Sequence, residues 1–257
     1  MDLGLKQRRA VVTGASRGIG RAIASVLAAE GADVVAAARN AEKLQDLAAS
    51  VQPGTGSITA RVADMSKAAD IEALAGELEK TDILVFNTGG PPFGTAAETT
   101  DASWTTQFEA MFLSAIRLTR LALPGMRARR FGRIMLVVSS GVIQPIPNLA
   151  LSNALRSGLV GWAKTLASEV AADGVTVNCL APGRIATDRV AEFDQARARR
   201  EGTSEEQAKK ASLVTIPAGR YGEAGEFAAL AAFLASPRAS YMTGGIIRID
   251  GGMIRSV

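Results

Sequence analysis

The sequence predicts an α/β domain built on a doubly wound, seven-stranded parallel sheet. Three observations carry that expectation. A short apolar run, Ala10-Val11-Val12, leads into the glycine-rich stretch Thr13-Gly14-Ala15-Ser16-Arg17-Gly18-Ile19-Gly20 and then into a helical stripe of Ile19, Ile23, Val26 and Leu27. Strand-like and helix-like patterns alternate from there to the end of the chain. The run over 82–87 is apolar between its end residues, as a strand covered on both faces should be. No composition shift, linker or internal repeat divides the chain, so residues 1–257 read as a single domain.

The first turn carries the most chemistry. Gly14 permits a tight turn, Gly18 lets the backbone approach a ligand, and Gly20 lets the helix pack close to the strand. Free N–H groups at the helix start then face an anion, helped by the helix dipole. This is a phosphate cradle in the strand–turn–helix setting that dinucleotide binding needs. A second strand follows at Asp33–Ala38, then a helix striped by Leu44, Leu47 and Val51. The third strand, Ser57–Val62, ends near Asp64 and precedes a helix striped by Ile71, Leu74 and Leu78. Beyond the fourth strand, long helices over 101–130 and 149–172 flank a fifth strand at 133–138. A sixth runs over 175–180 and a seventh over Ile246–Ile249. Residues 188–216 break the rhythm with two polar helical stretches, the second opened by a Thr203/Glu206 capping box. That segment leaves from the carboxyl end of the sixth strand, where open α/β sheets bind ligands, so it reads as a substrate lid.

Composition narrows the function classes. Hydrophobic residues at 47% are enough for a full core and argue against disorder. The absence of histidine excludes His-based triads and His-ligated metals, and no metal site is expected. Cys179 is the only cysteine, which suits a reducing compartment. With no leader pattern and no apolar run of membrane-spanning length, the expectation is a cytoplasmic protein without a membrane partner. The net charge of +4 comes with arginine clusters at 127, 129, 130, 133 and at 197, 199, 200. The first reads as a solvated helix end and the second as the face of a surface helix. No nucleic-acid motif or aromatic–basic face accompanies them, so nucleic acid is not an expected partner.

Together these motifs resemble the short-chain dehydrogenase/reductase family over nearly the whole chain. Residues 13–20 are close to its cofactor turn, and Asp64, followed by Met65, stands where the family contacts adenine. Asn87-Thr88-Gly89-Gly90 resembles its Asn-Asn-Ala-Gly element, and Ser139 ends the fifth strand where its catalytic serine lies. Pro182-Gly183-Arg184-Ile185-Ala186-Thr187 resembles the loop that holds the nicotinamide. Tyr241-Met242-Thr243-Gly244 and Asp250-Gly251-Gly252 resemble its C-terminal signature. The resemblance implies a Rossmann-type fold, a homodimer or homotetramer joined through the two long helices, and a nicotinamide cofactor. It implies cofactor contacts from Gly14, Ser16, Arg17, Gly18, Ile19, Gly20, Arg39, Asn40, Asp64, Met65, Asn87, Gly89, Arg156, Pro182, Gly183, Ile185 and Thr187. Charge bears on which cofactor. The second strand ends in Ala37-Ala38-Arg39-Asn40, with no acid to take a ribose 2′-hydroxyl. Arg39, joined by Arg17, offers guanidinium to a 2′-phosphate, so NADP(H) is expected over NAD(H).

The chain departs from the family at the reaction centre. The family pairs a tyrosine with a lysine four residues later on one helix face. Aligned on 158–164, those positions hold Ser152 and Arg156, and the family's supporting asparagine falls on Met111. Ser139 alone is kept. A serine hydroxyl is weakly acidic, and arginine stays protonated above about 12 in water, so neither replaces the pair as an acid or base. Ser139, Ser152 and Arg156 still offer donors that polarise a carbonyl. Two functions are therefore expected: an NADP(H)-dependent oxidoreductase on a ketone or oxoacyl-thioester carbonyl or the matching alcohol, or a catalytically impaired NADP(H)-binding sensor or scaffold.

Overall fold

The structure is a computed structural model that describes residues 2–256. Its elements run β1 (Arg9–Thr13), α1 (Gly18–Ala29), β2 (Asp33–Ala38), α2 (Ala41–Ala49), β3 (Ser57–Val62), α3 (Ala68–Glu72), α4 (Ala75–Glu79), β4 (Ile83–Phe86), α5 (Asp101–Phe108), α6 (Ser114–Ala128), β5 (Gly132–Val137), α7 (Ala150–Val170), β6 (Val175–Pro182), α8 (Asp188–Glu201), α9 (Glu205–Leu213), α10 (Ala224–Ala235) and β7 (Ile246–Ile249). The strands form one parallel seven-stranded sheet in the order β3-β2-β1-β4-β5-β6-β7. The winding reverses between β1 and β4, and a crevice opens beyond the strand ends there.

Side chains alternate across the central strands and so fill two cores. Ile83 and Val85 of β4, with Met135 and Val137 of β5, join the layer under α1, α2 and α10. Leu84 and Phe86, with Ile134 and Leu136, join the layer under α6 and α7. Every residue of β4 is buried, which is why its sequence shows no polar alternation. At the reversal, Thr13 staples the two strand ends. Its Oγ1 donates to the Asn87 carbonyl at 2.8 Å and accepts from the Asn87 amide at 2.9 Å.

Three expectations change in detail. The helix over 101–130 is interrupted: residues Glu109–Leu113 wind as a π turn between α5 and α6. Such turns re-aim side chains and recur at functional sites; here Met111 is buried against Leu151 and Leu155 of α7. The capping box of α9 is Ser204 with Gln207, one residue beyond the Thr203/Glu206 pair, because Ser204 has the extended backbone a cap needs. The arginines near 130 are not uniformly solvated. Arg133 lies in β5 and is only 3% exposed. It stacks on Phe131 and donates to the carbonyls of Ser236, Gly132 and Gly174. Arg129 pairs with the buried Asp82 at 2.9 Å. Among the described residues no helix is long and apolar enough to cross a membrane.

Candidate active site

The glycine turn is shaped by what surrounds it. Gly14 has a φ of +61°, and a Cβ there would stand 2.5 Å from the Asn87 carbonyl. A Cβ on Gly20 would stand 2.4 Å from the Gly14 carbonyl. Only glycine allows this close crossing of turn, helix and β4. Gly18, at a φ of +57°, lies under the Thr187 methyl. The result is a bare backbone at the start of α1, open to an anion.

At the end of β2, Arg39 is exposed and has no acidic neighbour in the turn that follows. Asn40 caps α2, its side chain accepting from the Lys43 amide at 2.8 Å. The cap turns the chain so that the Lys43 side chain joins Arg39 on the same wall. Asp64 follows β3. It accepts from the amide and hydroxyl of Ser66, and the amide bond leads in holding its carboxyl below the usual range.

At the other end, Ser139 leaves β5 and accepts from the Gly141 amide at 3.0 Å, which leaves its hydroxyl proton free. Asn153 of α7 fixes the following loop, bonding both the amide and the carbonyl of Ile146. Ser152 and Arg156 lie one turn apart on α7, both 6% exposed. Arg156 Nη1 donates to the Val137 carbonyl at 2.5 Å. Burial, followed by the nearby Arg189 cation, brings its pKa down to about 10, so it remains a cation at neutral pH. Neither tyrosine takes the missing position. Tyr241 is fully exposed, and Tyr221 donates to Asp194 of α8 at 2.8 Å. Cys179 is buried, and burial raises its thiol to about 12, which fits an inert filler.

The 188–216 segment covers this end. Asp188 at the start of α8 pairs with Arg17 at 3.2 Å, so the expected phosphate ligand is held by a carboxylate in this arrangement. Arg189 bonds Glu192 at 2.9 Å and the Pro91 carbonyl at 2.8 Å. Beneath the segment, Asp194 accepts from Ser212 and Tyr221, which ties α8 to α9 and to the chain before α10.

The glycine turn, the ends of β2, β3 and β5, and Ser152 and Arg156 of α7 meet in one cleft of about 950 Å³, a size that suits a cofactor together with a substrate. Gly14, Ser16, Arg17, Gly18, Ile19, Arg39, Asn40, Asp64, Met65, Asn87 and Gly89 line one stretch of it. Ser139, Ser152, Arg156, Pro182, Gly183, Ile185 and Thr187 line the rest. Gly20 is not in the lining; it packs behind the turn. Lys43, Arg184, Arg189 and Phe193 also line the cleft. Sequence reasoning singled out none of their side chains, since each belongs to a loop or to a helix, α2 or α8, whose direction only packing sets. A buried polar atom also waits in the wall: Thr88 Oγ1 has no partner among the described residues. The cradle that a Cβ would fill, the guanidinium at the end of β2 and this orphan hydroxyl fit a phosphorylated dinucleotide.

Comparison with known proteins agrees with that geometry. Residues 14–254 match the family described as enoyl-(acyl carrier protein) reductase. The chain is 37% identical to nodulation protein G of Rhizobium sp. (strain N33), over 97% of this chain and 98% of that protein. It is 36% identical to the 3-oxoacyl-[acyl-carrier-protein] reductase FabG of Vibrio cholerae, over 98% of this chain and 99% of that one. L-sorbose reductase from Gluconobacter frateurii, solved with NADPH and L-sorbose, superposes with a TM-score of 0.93 at 32% identity, covering 100% of both chains. The chain belongs to the short-chain dehydrogenase/reductase family of oxidoreductases.

Proposed function

We propose that the protein is an NADP(H)-dependent oxidoreductase that interconverts a carbonyl and an alcohol through an altered centre of Ser139, Ser152 and Arg156. One observation carries the reading: a single cleft joins an intact phosphate cradle to three side-chain donors at the end of β5 and on α7. The backbone of residues 14–20 would hold the pyrophosphate, with Ser16 and Ile19 in the turn. Arg39, with Arg17 once it leaves Asp188, would hold the 2′-phosphate, and Asn40 shapes that wall as a cap. Asp64 and Met65 would flank adenine. Asn87, Gly89 and Arg156 would meet the nicotinamide ribose, and Pro182, Gly183, Ile185 and Thr187 the nicotinamide. Two of the proteins named above support a carbonyl substrate: one is a 3-oxoacyl-[acyl-carrier-protein] reductase and the other a reductase solved with NADPH and L-sorbose.

When bound, the reduced cofactor supplies a hydride to the carbonyl carbon. Ser139 and Ser152 donate hydrogen bonds to the carbonyl oxygen, and the Arg156 cation stabilises the negative charge that grows there. Arg156 keeps its proton at neutral pH, so the proton that completes the alcohol comes from water. Without the family's acid, the proton step lacks a contribution of about 10²–10⁴-fold. Residues 188–216 act as the lid that excludes bulk water. Small residues on α7, among them Ala154, Ser157 and Gly161, leave room for a second copy in a homodimer or homotetramer, which a size measurement tests. Gly158 is already used within the chain, its Cα lying against the Phe112 ring.

The test is NADPH oxidation against ketones, aldehydes and oxoacyl thioesters. Ser139→Ala is expected to lower kcat by about 10-fold or more, the scale of one lost transition-state donor. No turnover of any compound, with NADPH binding intact, would favour the sensor reading instead. That reading draws on the Ser139 hydroxyl already accepting from Gly141 and on the Arg17–Asp188 tie, which cofactor binding would open.

A further inference from the structure

The charges lining the cleft exceed what a dinucleotide needs, and the excess sits at one end. Arg17, Arg39 and Lys43 stand at the phosphate end. Arg156, Arg184 and Arg189 stand at the other. Only two carboxylates, Asp64 and Asp188, share the lining with them. On the reading above, every phosphate of NADP(H) falls to the first group. The nicotinamide brings no negative charge to the second.

Each arginine of the second group is held at the cleft without a full set of partners. Arg156 makes a single hydrogen bond among the described residues, to the Val137 carbonyl, and pairs with no acid. Arg184 makes no ion pair among the described residues; its guanidinium stands 5.1 Å from the centre of the Phe193 ring. Arg189 is fixed by Glu192 and the Pro91 carbonyl, with the rings of Phe93 and Phe193 at 4.9 and 5.0 Å from its guanidinium. Gly90 makes room for it: a Cβ there would strike the Arg189 Nη2 at 2.8 Å. Arg189 is also near enough to Arg156 for its charge to disfavour the buried cation. Cations gathered round a half-buried space are costly until an anion joins them.

We infer that the substrate is an oxo acid, whose carboxylate is taken up by Arg189 and Arg184 at the lid while its carbonyl meets Ser139, Ser152 and Arg156. Guanidinium matches a carboxylate through paired, charge-assisted bonds. Phe193, which lines the cleft and is held edge-to-face by Phe93 at 5.0 Å between centres, offers an apolar wall for the rest of the molecule. The carboxylate takes no part in electron transfer. The keto group gains the hydride and a proton and becomes a hydroxyl, so the product is a hydroxy acid.

The inference rests on the reductase reading, and the test separates the two. Binding comes first, measured by calorimetry on the protein loaded with NADP⁺, using phenylacetate and its methyl ester as non-reducible probes. The acid is expected to bind about 10-fold tighter than the ester or better, the scale of a charged hydrogen-bond pair. Arg189→Gln and, separately, Arg184→Gln are expected to bring the two probes to near parity. Equal affinity of acid and ester in the native protein would overturn the inference. So would an equal loss of NADP⁺ affinity in both variants, which would assign these arginines to the cofactor. Turnover comes second, comparing phenylpyruvate, its methyl ester, acetoacetyl-CoA and the uncharged N-acetylcysteamine thioester. A preference for the free acid over its ester of about 10-fold in kcat/KM supports the inference. A preference for the CoA thioester above all others would place a phosphate at these arginines and overturn it. Acid-selective binding with no turnover would leave the anion site standing and remove the reductase reading.

Discussion

The two ends of the cleft are built by different means. The phosphate end is made of backbone: a glycine turn, the start of α1 and the Thr13–Asn87 staple between β1 and β4. The proposed reaction end is made of side chains on a helix and a loop: Ser139, Ser152 and Arg156, with Met111 beside them in the lining. On the reading proposed above, the first end keeps the family pattern and the second departs from it. The physical reason is the cost of change. A side chain at Gly14 collides with the Asn87 carbonyl, and one at Gly20 with the Gly14 carbonyl. An exchange at position 152 or 156 of α7 alters what faces the cleft and leaves the helix backbone in place. A substitution in the glycine turn therefore costs folding and nucleotide binding together, while the residues facing the cleft from α7 are free to diverge.

Four measurements break or sharpen that contrast, and the largest effect should come from the backbone end. Gly14→Val adds a Cβ 2.5 Å from the Asn87 carbonyl at a φ of +61°. Strain and clash of roughly 1–3 kcal/mol each predict NADPH affinity reduced by about 100-fold or more, with a lower melting temperature. Unchanged binding and melting would show that the turn is not a cradle. At the reaction end, Ser152→Tyr with Arg156→Lys restores the family pair. Reduction of simple ketones should rise by about 10²-fold, the lower range of general acid catalysis. No gain would mean that the surrounding pocket has also changed.

Arg39→Ala should weaken NADPH by about 10-fold or more, as one lost charge-assisted contact implies, and NADH by far less. Equal losses would remove the 2′-phosphate assignment. The smallest effect is in pH. Arg156 is a cation below about 10 and loses its charge as pH rises through that value. The kcat should therefore stay level across neutrality and fall only on the alkaline side, near 10. A limb close to neutral pH would reveal an acid or base in the site other than these three residues.

That the three proposed reaction-end residues come together was legible by alignment alone. Ser139, Ser152 and Arg156 share a cleft because four-residue spacing on α7 stacks the last two on one face and the end of β5 brings the first to it. Other parts were not. The π turn at Glu109–Leu113 breaks a pattern that reads as one continuous helix, since its hydrogen bonds depend on packing against α7. Arg133 reads as a surface charge beside its neighbours, yet strand register turns it inward to carbonyls far along the chain. Arg17 reads as a free phosphate ligand, yet the start of α8 brings Asp188 to it across most of the sequence.

By itself the sequence determined the order of strands and helices and the glycine turn, because these rest on periodicity, spacing and residue type. Only the tertiary structure decided that Arg156, Arg184 and Arg189 gather at one end of one cleft. They come from α7, the loop after β6 and the start of α8. Arg156 shares a field with the other two only once the sheet has set the direction of each element.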